Sequence, residues 1–462
     1  MGSARYHFSG IAGAGMNPLA LVMRARGHEV QGSDRSFDRG ENAAVEASLR
    51  RAGIVIAPQD GTAVTPEIDR FVFSAAVEAD TPEMRAARTL GIERVARPAL
   101  LAEIVNDGRP GVAVAGTSGK STITGMLAWI MRDAGAGATV IGGAALVGEG
   151  SGGCFAAGSA DGPVIAEACE SDGTLVGYRA AIGVVHNISR DHDEIDALRL
   201  QFAAFADYSE RVLINVGCPE AAALARSRKA LTYGAVADAD AVLTVIAPGP
   251  DRAVGALRVG DREIALDVPQ PGVHNLENAA AAALVAIELG VPPTVVASAL
   301  SRFPGVARRF EVVGITSNGI RVVDDYAHNA EKLRAAITTA QTGSSRVVAL
   351  FQPHGFGPAR FLRPELRELL PRVLRAQDRF AYLEVFYAGG TVTKDVSSRV
   401  LADDLGPNVH CGYAPDHAAA VEWIRGEARA GDTVLVMGAR DPSLPRLTRA
   451  VLDALDSIPL AH

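Results

Sequence analysis

The sequence predicts an α/β protein with three domains in series: a Rossmann-like N-terminal domain, a P-loop-type central domain and a Rossmann-like C-terminal domain. Three observations predict it. The 462 residues match about three domains of ordinary size. Short apolar runs alternate with helical stretches along the chain, which is the pattern of parallel sheets covered on both faces. Two glycine-rich loops each follow an apolar run and open a helix.

The first domain is expected over residues 1–108. Tyr6-His7-Phe8 reads as a strand, the loop from Gly10 to Gly15 as a turn, and Leu19 to Arg26 as a helix closed by Gly27. Glu29 to Gly32 is the next strand and ends at Ser33-Asp34. Further strands follow at Ile54-Val55-Ile56 and Phe71-Val72-Phe73, and a helix starts at Thr81, capped ahead of Pro82-Glu83. Asn106-Asp107-Gly108-Arg109-Pro110 reads as a linker. The second domain, 109–310, has strands at Val112-Ala113-Val114, Thr139 to Ile141, Val164-Ile165-Ala166, Ile182 to Val185 and Val212-Leu213-Ile214. Phe303-Pro304-Gly305-Val306 marks its end. The third domain, 311–462, has strands at Ile320 to Val323, Arg346 to Phe351, Phe380 to Leu383 and Thr433 to Met437.

Composition excludes several function classes. A net charge of −8 argues against a general nucleic-acid binder while leaving room for a basic pocket that takes a small anion. The four cysteines, Cys154, Cys169, Cys218 and Cys411, form no C-x-x-C pair, so neither a disulfide framework nor a structural zinc site is expected. The N-terminus shows no secretory signal, and no stretch approaches the roughly 20 apolar residues of a spanning helix. A cytoplasmic protein without a membrane segment is expected. Glycine is the unusual entry, with 48 residues and no Gly-X-Y period, so its placement carries information.

The stronger of the two loops is Gly116-Thr117-Ser118-Gly119-Lys120-Ser121-Thr122, between the strand Val112-Ala113-Val114 and a helix over Ile123 to Arg132. Successive backbone amides there point at phosphate oxygens. Lys120 would neutralise them and the Ser121 hydroxyl would take Mg2+. Val114 stands where the strict Walker pattern has glycine, and a plain glycine-rich turn is the alternative. The first loop, Gly10-Ile11-Ala12-Gly13-Ala14-Gly15, departs from strict G-x-G-x-x-G, yet it sits between strand and helix with Asp34 at the next strand end. Its amides suit a diphosphate, and a structural turn is the alternative.

Acids and amides cluster at other strand ends. Glu167, Glu170 and Asp172 lie within six residues and need a cation to offset their repulsion, which an Mg2+–ATP site provides. Asp191-His192 ends another strand and could complete a metal shell. Asn275 and Asn278 share a helix face at i, i+3 and either read adenine or cap the helix. Asp324-Asp325 ends a strand of the third domain, and Arg308-Arg309 lies just ahead of that domain, where an arginine could reach a phosphate.

Taken in order, these residues resemble the Mur ligase family, the ATP-dependent amide ligases of peptidoglycan assembly. The resemblance spans essentially the whole chain. It implies a nucleotide-sugar site at Gly10, Ala12, Gly13, Ala14, Gly15, Met16, Ser33, Asp34, Ser74 and Ala75. It implies an ATP site at Gly116, Thr117, Ser118, Gly119, Lys120, Ser121, Thr122, Asn275, Asn278, Arg309 and Asp325. Catalytic roles fall to Lys120, Glu167, His192 and Arg309, Mg2+ to Ser121, Glu167 and His192, and the amino-acid substrate to His328 and His354. The implied partners are a UDP-sugar carboxylate and an amino acid, and the cofactors ATP and Mg2+. The implied reaction joins an amino acid, L-alanine favoured, to UDP-N-acetylmuramate through an acyl phosphate, with closure of the C-terminal domain over the nucleotide. The family carries two arginines toward the amino acid where this chain has Phe351-Gln352-Pro353-His354-Gly355-Phe356-Gly357-Pro358. A murein-peptide recycling branch, or a paralogue with another amino acid, is the alternative. An NAD(P)-dependent oxidoreductase built on the first loop and a motion-driving P-loop ATPase are more distant ones.

Overall fold

The structure, a computed structural model, describes residues 3–74, 77–149, 154–159, 161–170, 173–189, 194–387, 394–407 and 409–457. The chain forms two compact units. The first comprises Met1–Pro248, Ala253–Pro269 and Val273–Val306, and the second Gly249–Arg252, Gln270–Gly272 and Ala307–His462.

The first unit holds two sheets. One contains β1 (Arg5–Ser9), β2 (Glu29–Ser33), β3 (Val55–Ile56), β4 (Arg70–Phe73) and β5 (Glu93–Ala96), all parallel, in the order β3-β2-β1-β4-β5. Strand order reverses at β1, so the loop after it opens into the crevice where open α/β sheets bind ligands. The helix after it spans Asn17–Ala25, earlier than expected because Pro18 is pre-set for a first helical turn. Thr81 caps the helix Pro82–Thr89 by accepting from Met84 N at 3.3 Å, as its position before Pro-Glu predicts.

The second sheet contains β6 (Gly111–Ala115), β7 (Thr139–Gly142), β8 (Cys154–Ala156), β9 (Val164–Ala168), β10 (Ile182–Val185), β11 (Arg211–Asn215), β12 (Leu231–Gly234), β13 (Ala241–Pro248), β14 (Ala253–Val259) and β15 (Arg262–Val268). Its order is β15-β14-β13-β12-β11-β10-β6-β9-β7-β8. The apolar run Val112–Ala115 is fully buried because β6 is an inner strand covered on both faces. Each buried valine there contributes about 1.5 kcal/mol or more. Strand order again reverses at β6, whose neighbours β10 and β9 both run parallel to it, which places the second glycine loop at the sheet's switch point. Parallel pairing does not extend throughout: β8 and the β13-β14-β15 meander are antiparallel. The meander follows the inside–outside alternation of Ala241, Leu243 and Leu257 and turns at Gly260, whose φ is 58°. The alanine-rich helix Val273–Glu288 packs against the helix Lys120–Asp133, where small side chains allow close approach.

The second unit holds β16 (Glu311–Ile315), β17 (Arg321–Asp325), β18 (Val347–Gln352), β19 (Arg379–Leu383), β20 (Cys411–Ala414) and β21 (Thr433–Gly438), in the order β16-β17-β21-β18-β19-β20. Only the β16–β17 pair is antiparallel among the described strands of this sheet. The C-terminal ends of β17, β18 and β21 therefore lie side by side.

Candidate active site

The first loop is held from both ends. Gly10, at φ 81°, turns the chain, and the amides of Gly10 and Ile11 donate to Ser33 O at 2.8 and 3.0 Å. Ala12 N donates to Asp34 Oδ2 at 3.0 Å, while the other Asp34 oxygen caps the next short helix through Ser36 N at 2.9 Å. Asp34 is thus a loop clamp as well as a strand-end acid. Met16 N and Asn17 N close back on Gly13 O, each at 2.9 Å. Gly13 and Ala14 are exposed, Gly15 is half-buried and Met16 is buried. Ser74 adjoins the turn, since a Cβ on Gly10 would lie 3.7 Å from Ser74 Cβ. Ala75 lies outside the described residues. Sequence reasoning missed Arg97, which opens the helix Arg97–Asn106. A Cβ on Gly15 would lie 3.2 Å from its Cδ, so this arginine runs along the loop. It also missed Glu83, buried beneath the strand ends, because the signal Thr81-Pro82-Glu83 reads equally well as a helix start.

The second loop is tied to the end of β10. Thr117 N donates to Asn187 O at 3.1 Å, Ser118 N to Asn187 Oδ1 at 2.8 Å, and the Thr117 hydroxyl exchanges hydrogen bonds with the Ser189 backbone. Gly119 has φ 85°, and a Cβ there would lie 2.5 Å from Asn278 Oδ1 and 2.8 Å from His186 Cδ2, so glycine is required. Lys120, Ser121 and Thr122 form the first turn of the helix Lys120–Asp133, whose leading amides have no intrahelical partner. His186 is buried and hydrogen-bonded to Tyr233 at 2.8 Å. Burial, with His274 adding to it, holds its ring down to about 4. The His186 ring behind the loop is therefore neutral at pH 7.

Lys120 Nζ lies 2.8 Å from Glu170 Oε2 and also donates to Gly116 O. Burial would lower its pKa, but Glu170, with Cys169 and Glu167 adding to it, more than offsets this and the ammonium is held. The carboxylate run after β9 thus finds one of its cations within the protein. Glu170 is buried against Lys120, so the acids of this run are not simply solvated. Ser121 Oγ donates to Glu167 Oε2 at 3.1 Å, and Gly143 N donates to Glu167 Oε1 at 2.8 Å. This hydroxyl and carboxylate are hard oxygen donors of the kind Mg2+ takes one or two at a time. His192, Asp191 and Asp172 lie outside the described residues. Asn275 and Asn278 are buried one turn apart, with Asn278 Nδ2 donating to Asn275 Oδ1 at 3.2 Å. Asn278 Oδ1 has no partner among the described residues and faces the loop at Gly119.

In the second unit, Arg308, Arg309, Asp324 and Asp325 converge around Tyr326. The guanidinium carbons of Arg308 and Arg309 stand 5.1 and 4.7 Å from its ring centroid. Arg308 is spent on structure: it pairs with Asp324 at 3.3 Å and donates to Gly438 O and Ala439 O at 2.6 and 3.0 Å. Burial pushes Asp324 up to about 6 against the pull of Arg308. Asp325 accepts from Phe310 N and Ala327 N, both at 2.7 Å. Desolvation of its carboxyl raises its pKa, opposed first by Arg309. The rings of His328 and His354 come within 5.7 Å, so these two residues share a site. Near His354, Phe356, Ala359 and Val385 form an apolar cluster with Tyr387 packed against it.

Three family models match in this chain order: the Mur ligase family catalytic domain over residues 5–109, the Mur ligase middle domain over 114–286, and the Mur ligase glutamate ligase domain over 308–440. The UDP-N-acetylmuramate–L-alanine ligase of Kineococcus radiotolerans is 37% identical over 95% of this chain and 93% of its own length. That of Thermobifida fusca is 33% identical over 97% and 96%. Among solved structures, the UDP-N-acetylmuramate-alanine ligase of Thermotoga maritima superposes with a TM-score of 0.78 at 24% identity, covering 98% of this chain and 99% of its own. A murein peptide ligase from Psychrobacter arcticus gives 0.66 at 21% identity, covering 99% and 100%. The likeness to solved structures fixes the fold, and the sequence relatives fix the family: this chain belongs to the Mur ligase family and is an ATP-dependent ligase.

Proposed function

We propose that this enzyme joins an amino acid, L-alanine by preference, to the carboxylate of UDP-N-acetylmuramate in peptidoglycan precursor synthesis. The observation that carries the reading is the pairing, in one chain, of a lysine-bearing phosphate loop with a second, lysine-free glycine loop, each at a strand-order reversal. The names of the curated relatives support it. Residues 1–108 are read as the nucleotide-sugar domain, 109–310 as the ATP domain and 311–462 as the amino-acid and closing domain. A cytoplasmic location is part of this reading; among the described residues no helix is long and apolar enough to cross a membrane.

The substrate carboxylate oxygen attacks the γ-phosphorus of ATP, and the bond to the bridging oxygen of ADP breaks. The amine nitrogen then attacks the acyl carbon, and the tetrahedral intermediate collapses to amide and phosphate. The chain's part is positioning and charge neutralisation. The leading amides of the helix Lys120–Asp133 hold the phosphates, those of Thr117 and Ser118 being engaged by Asn187, and Lys120, released from Glu170 by the more highly charged nucleotide, neutralises the transferring group. Arg309 is assigned to a phosphate, Asp325 to the nucleotide, and Asn275 and Asn278 to the base. Ser121 and Glu167, with His192, would hold Mg2+, which supplies Lewis-acid neutralisation of the phosphate oxygens. Ala14, Gly15 and Arg97 are assigned to the diphosphate, supported by Arg97 running along the first loop, and His328 and His354 to the amino acid. An oxidoreductase reading leaves Lys120 and the asparagine pair without a role.

The testing experiment is a panel of amino acids offered with UDP-N-acetylmuramate and its peptides, scored by ADP release and product mass. L-alanine with UDP-N-acetylmuramate is expected to turn over fastest. Preference for a free murein peptide as the amine would move the enzyme to the recycling branch, a reading favoured by the absence of arginine from Phe351 to Pro358. ADP release independent of any acceptor would reject a ligase. Arg309→Ala is expected to lower turnover at least about tenfold; normal turnover would remove Arg309 from the phosphate site.

A further inference from the structure

Beneath the first loop lies a fully buried polar network. Glu83, His7, Ser9 and Ser33 are each wholly inaccessible. Glu83 Oε1 accepts from Ser33 Oγ at 2.5 Å and from His7 Nε2 at 2.8 Å, and Oε2 accepts from Ser9 Oγ at 2.5 Å. The histidine tautomer follows from its neighbours. Gln31 Nε2 donates to Ala63 O at 2.7 Å, which identifies that atom as the amide nitrogen, and the same nitrogen lies 3.0 Å from His7 Nδ1. Nδ1 is therefore the acceptor and the proton sits on Nε2, aimed at Glu83. His7 also stacks on Phe71 of β4, with centroids 5.4 Å apart.

A buried carboxylate is a poor stabiliser. Desolvating it is costly, and an apolar side chain of similar volume is often as good or better. Its merit is geometric. Ser9 is the last residue of β1 and Ser33 the last of β2, and one carboxylate holds both hydroxyls. The residue after Ser9 is Gly10, where the loop begins. The residue after Ser33 is Asp34, which holds Ala12 N, and Ser33 O receives the amides of Gly10 and Ile11. The path leaves little slack, since a Cβ on Gly32 would lie 2.6 Å from Phe8 O.

We propose that Glu83 is a positioning residue for the nucleotide-sugar loop: by clamping the strand-ending serines Ser9 and Ser33, it sets the direction in which the amides of Ala14 and Gly15 meet a diphosphate. The proposal rests on the nucleotide-sugar reading of that loop. Glu83 itself touches no substrate.

The test uses the full chain and two probes, UDP and ATP, titrated calorimetrically into wild type, Glu83→Gln and Ser33→Ala. Glu83→Gln turns one acceptor oxygen into a donor facing donors, and UDP affinity is expected to fall about tenfold or more. ATP affinity is expected to stay within about twofold, because the phosphate loop hangs from a different sheet. Ser33→Ala is expected to show the same selectivity with a smaller loss, and it carries the test alone if Glu83→Gln does not fold. In turnover, the KM for UDP-N-acetylmuramate rises while kcat holds. Unchanged UDP affinity in folded variants overturns the proposal. So does a parallel loss of UDP and ATP affinity together with a lowered Tm, which is the mark of general core support. Wild type that binds ATP but no UDP overturns the nucleotide-sugar reading and the proposal with it; wild type that binds UDP while both variants bind it equally well overturns the proposal alone.

Discussion

The two glycine loops of the first unit share a local design and differ in what surrounds them. Each leaves an inner strand with parallel neighbours where strand order reverses, and each opens a helix. Under the first lies a carboxylate satisfied by three donors and sealed from solvent, and the loop itself carries no lysine. Beside the second stand Lys120 and two carboxylates, Glu167 and Glu170, with the Ser121 hydroxyl donating to Glu167. Backbone donors on a rigid mount suit a diphosphate that passes through the reaction unchanged. A phosphoryl group in transfer moves charge between oxygens, and it needs a cation that can change partners.

The largest effect that would sharpen this contrast is at Lys120. Lys120→Ala is expected to lower kcat about a thousandfold. It also strands Glu170, so unfolding free energy should fall by roughly 3 kcal/mol. Adding Glu170→Gln is expected to restore stability, read by denaturant unfolding, but not ADP release. Recovery of turnover in the double variant would break the assignment of Lys120.

The next contrast compares glycines. Gly119 and Gly10 both have positive φ, but a Cβ on Gly119 meets Asn278 Oδ1 at 2.5 Å, whereas one on Gly10 comes no closer than 3.4 Å to Val77 Cγ2. Gly10→Ala is expected to carry backbone strain alone, about 1–2 kcal/mol. Gly119→Ala is expected to displace Asn278 as well and to reduce turnover about a hundredfold. Equal stability losses in both would mean that the Asn278 contact does not matter.

The smallest effect is a pH dependence. Burial would push the Glu83 carboxyl up, but hydrogen bonds from His7, Ser33 and Ser9 win and hold it below its ordinary 4.5. A carboxyl lowered in the folded state stabilises above its unfolded pKa and loses that contribution as pH falls through the folded pKa. The stability advantage of wild type over Glu83→Gln, about 1–3 kcal/mol at pH 7, should therefore shrink in titrations below pH 4.5. An advantage that grows with acid would contradict the network.

What the sequence made legible was local. Both glycine loops, the Thr81 cap and the i, i+3 asparagines are written within a few consecutive residues, and the structure has the loops between strand and helix, the cap in place and the asparagines on one helix. What it hid depends on strand order. Glu83 meets Ser9 across 74 positions and Ser33 across 50, contacts that exist only because β4 sits beside β1. Arg97 reaches Gly15 for the same kind of reason. Glu170 stood out as one of three crowded acids, yet its partner Lys120 is 50 residues away. The β13-β15 meander lies where inside–outside alternation replaces the βα rhythm of the earlier strands, and its antiparallel pairing carries no glycine-loop motif to mark it.

The central claim is that the substrate carboxylate is activated as an acyl phosphate on the Gly116–Thr122 loop. Its most direct test is to supply UDP-N-acetylmuramate with heavy oxygen in the carboxylate, together with ATP, Mg2+ and L-alanine, and to weigh the products. One heavy oxygen is expected in the inorganic phosphate for each amide formed, and none in ADP. Phosphate that carries only light oxygen while amide accumulates would contradict the account.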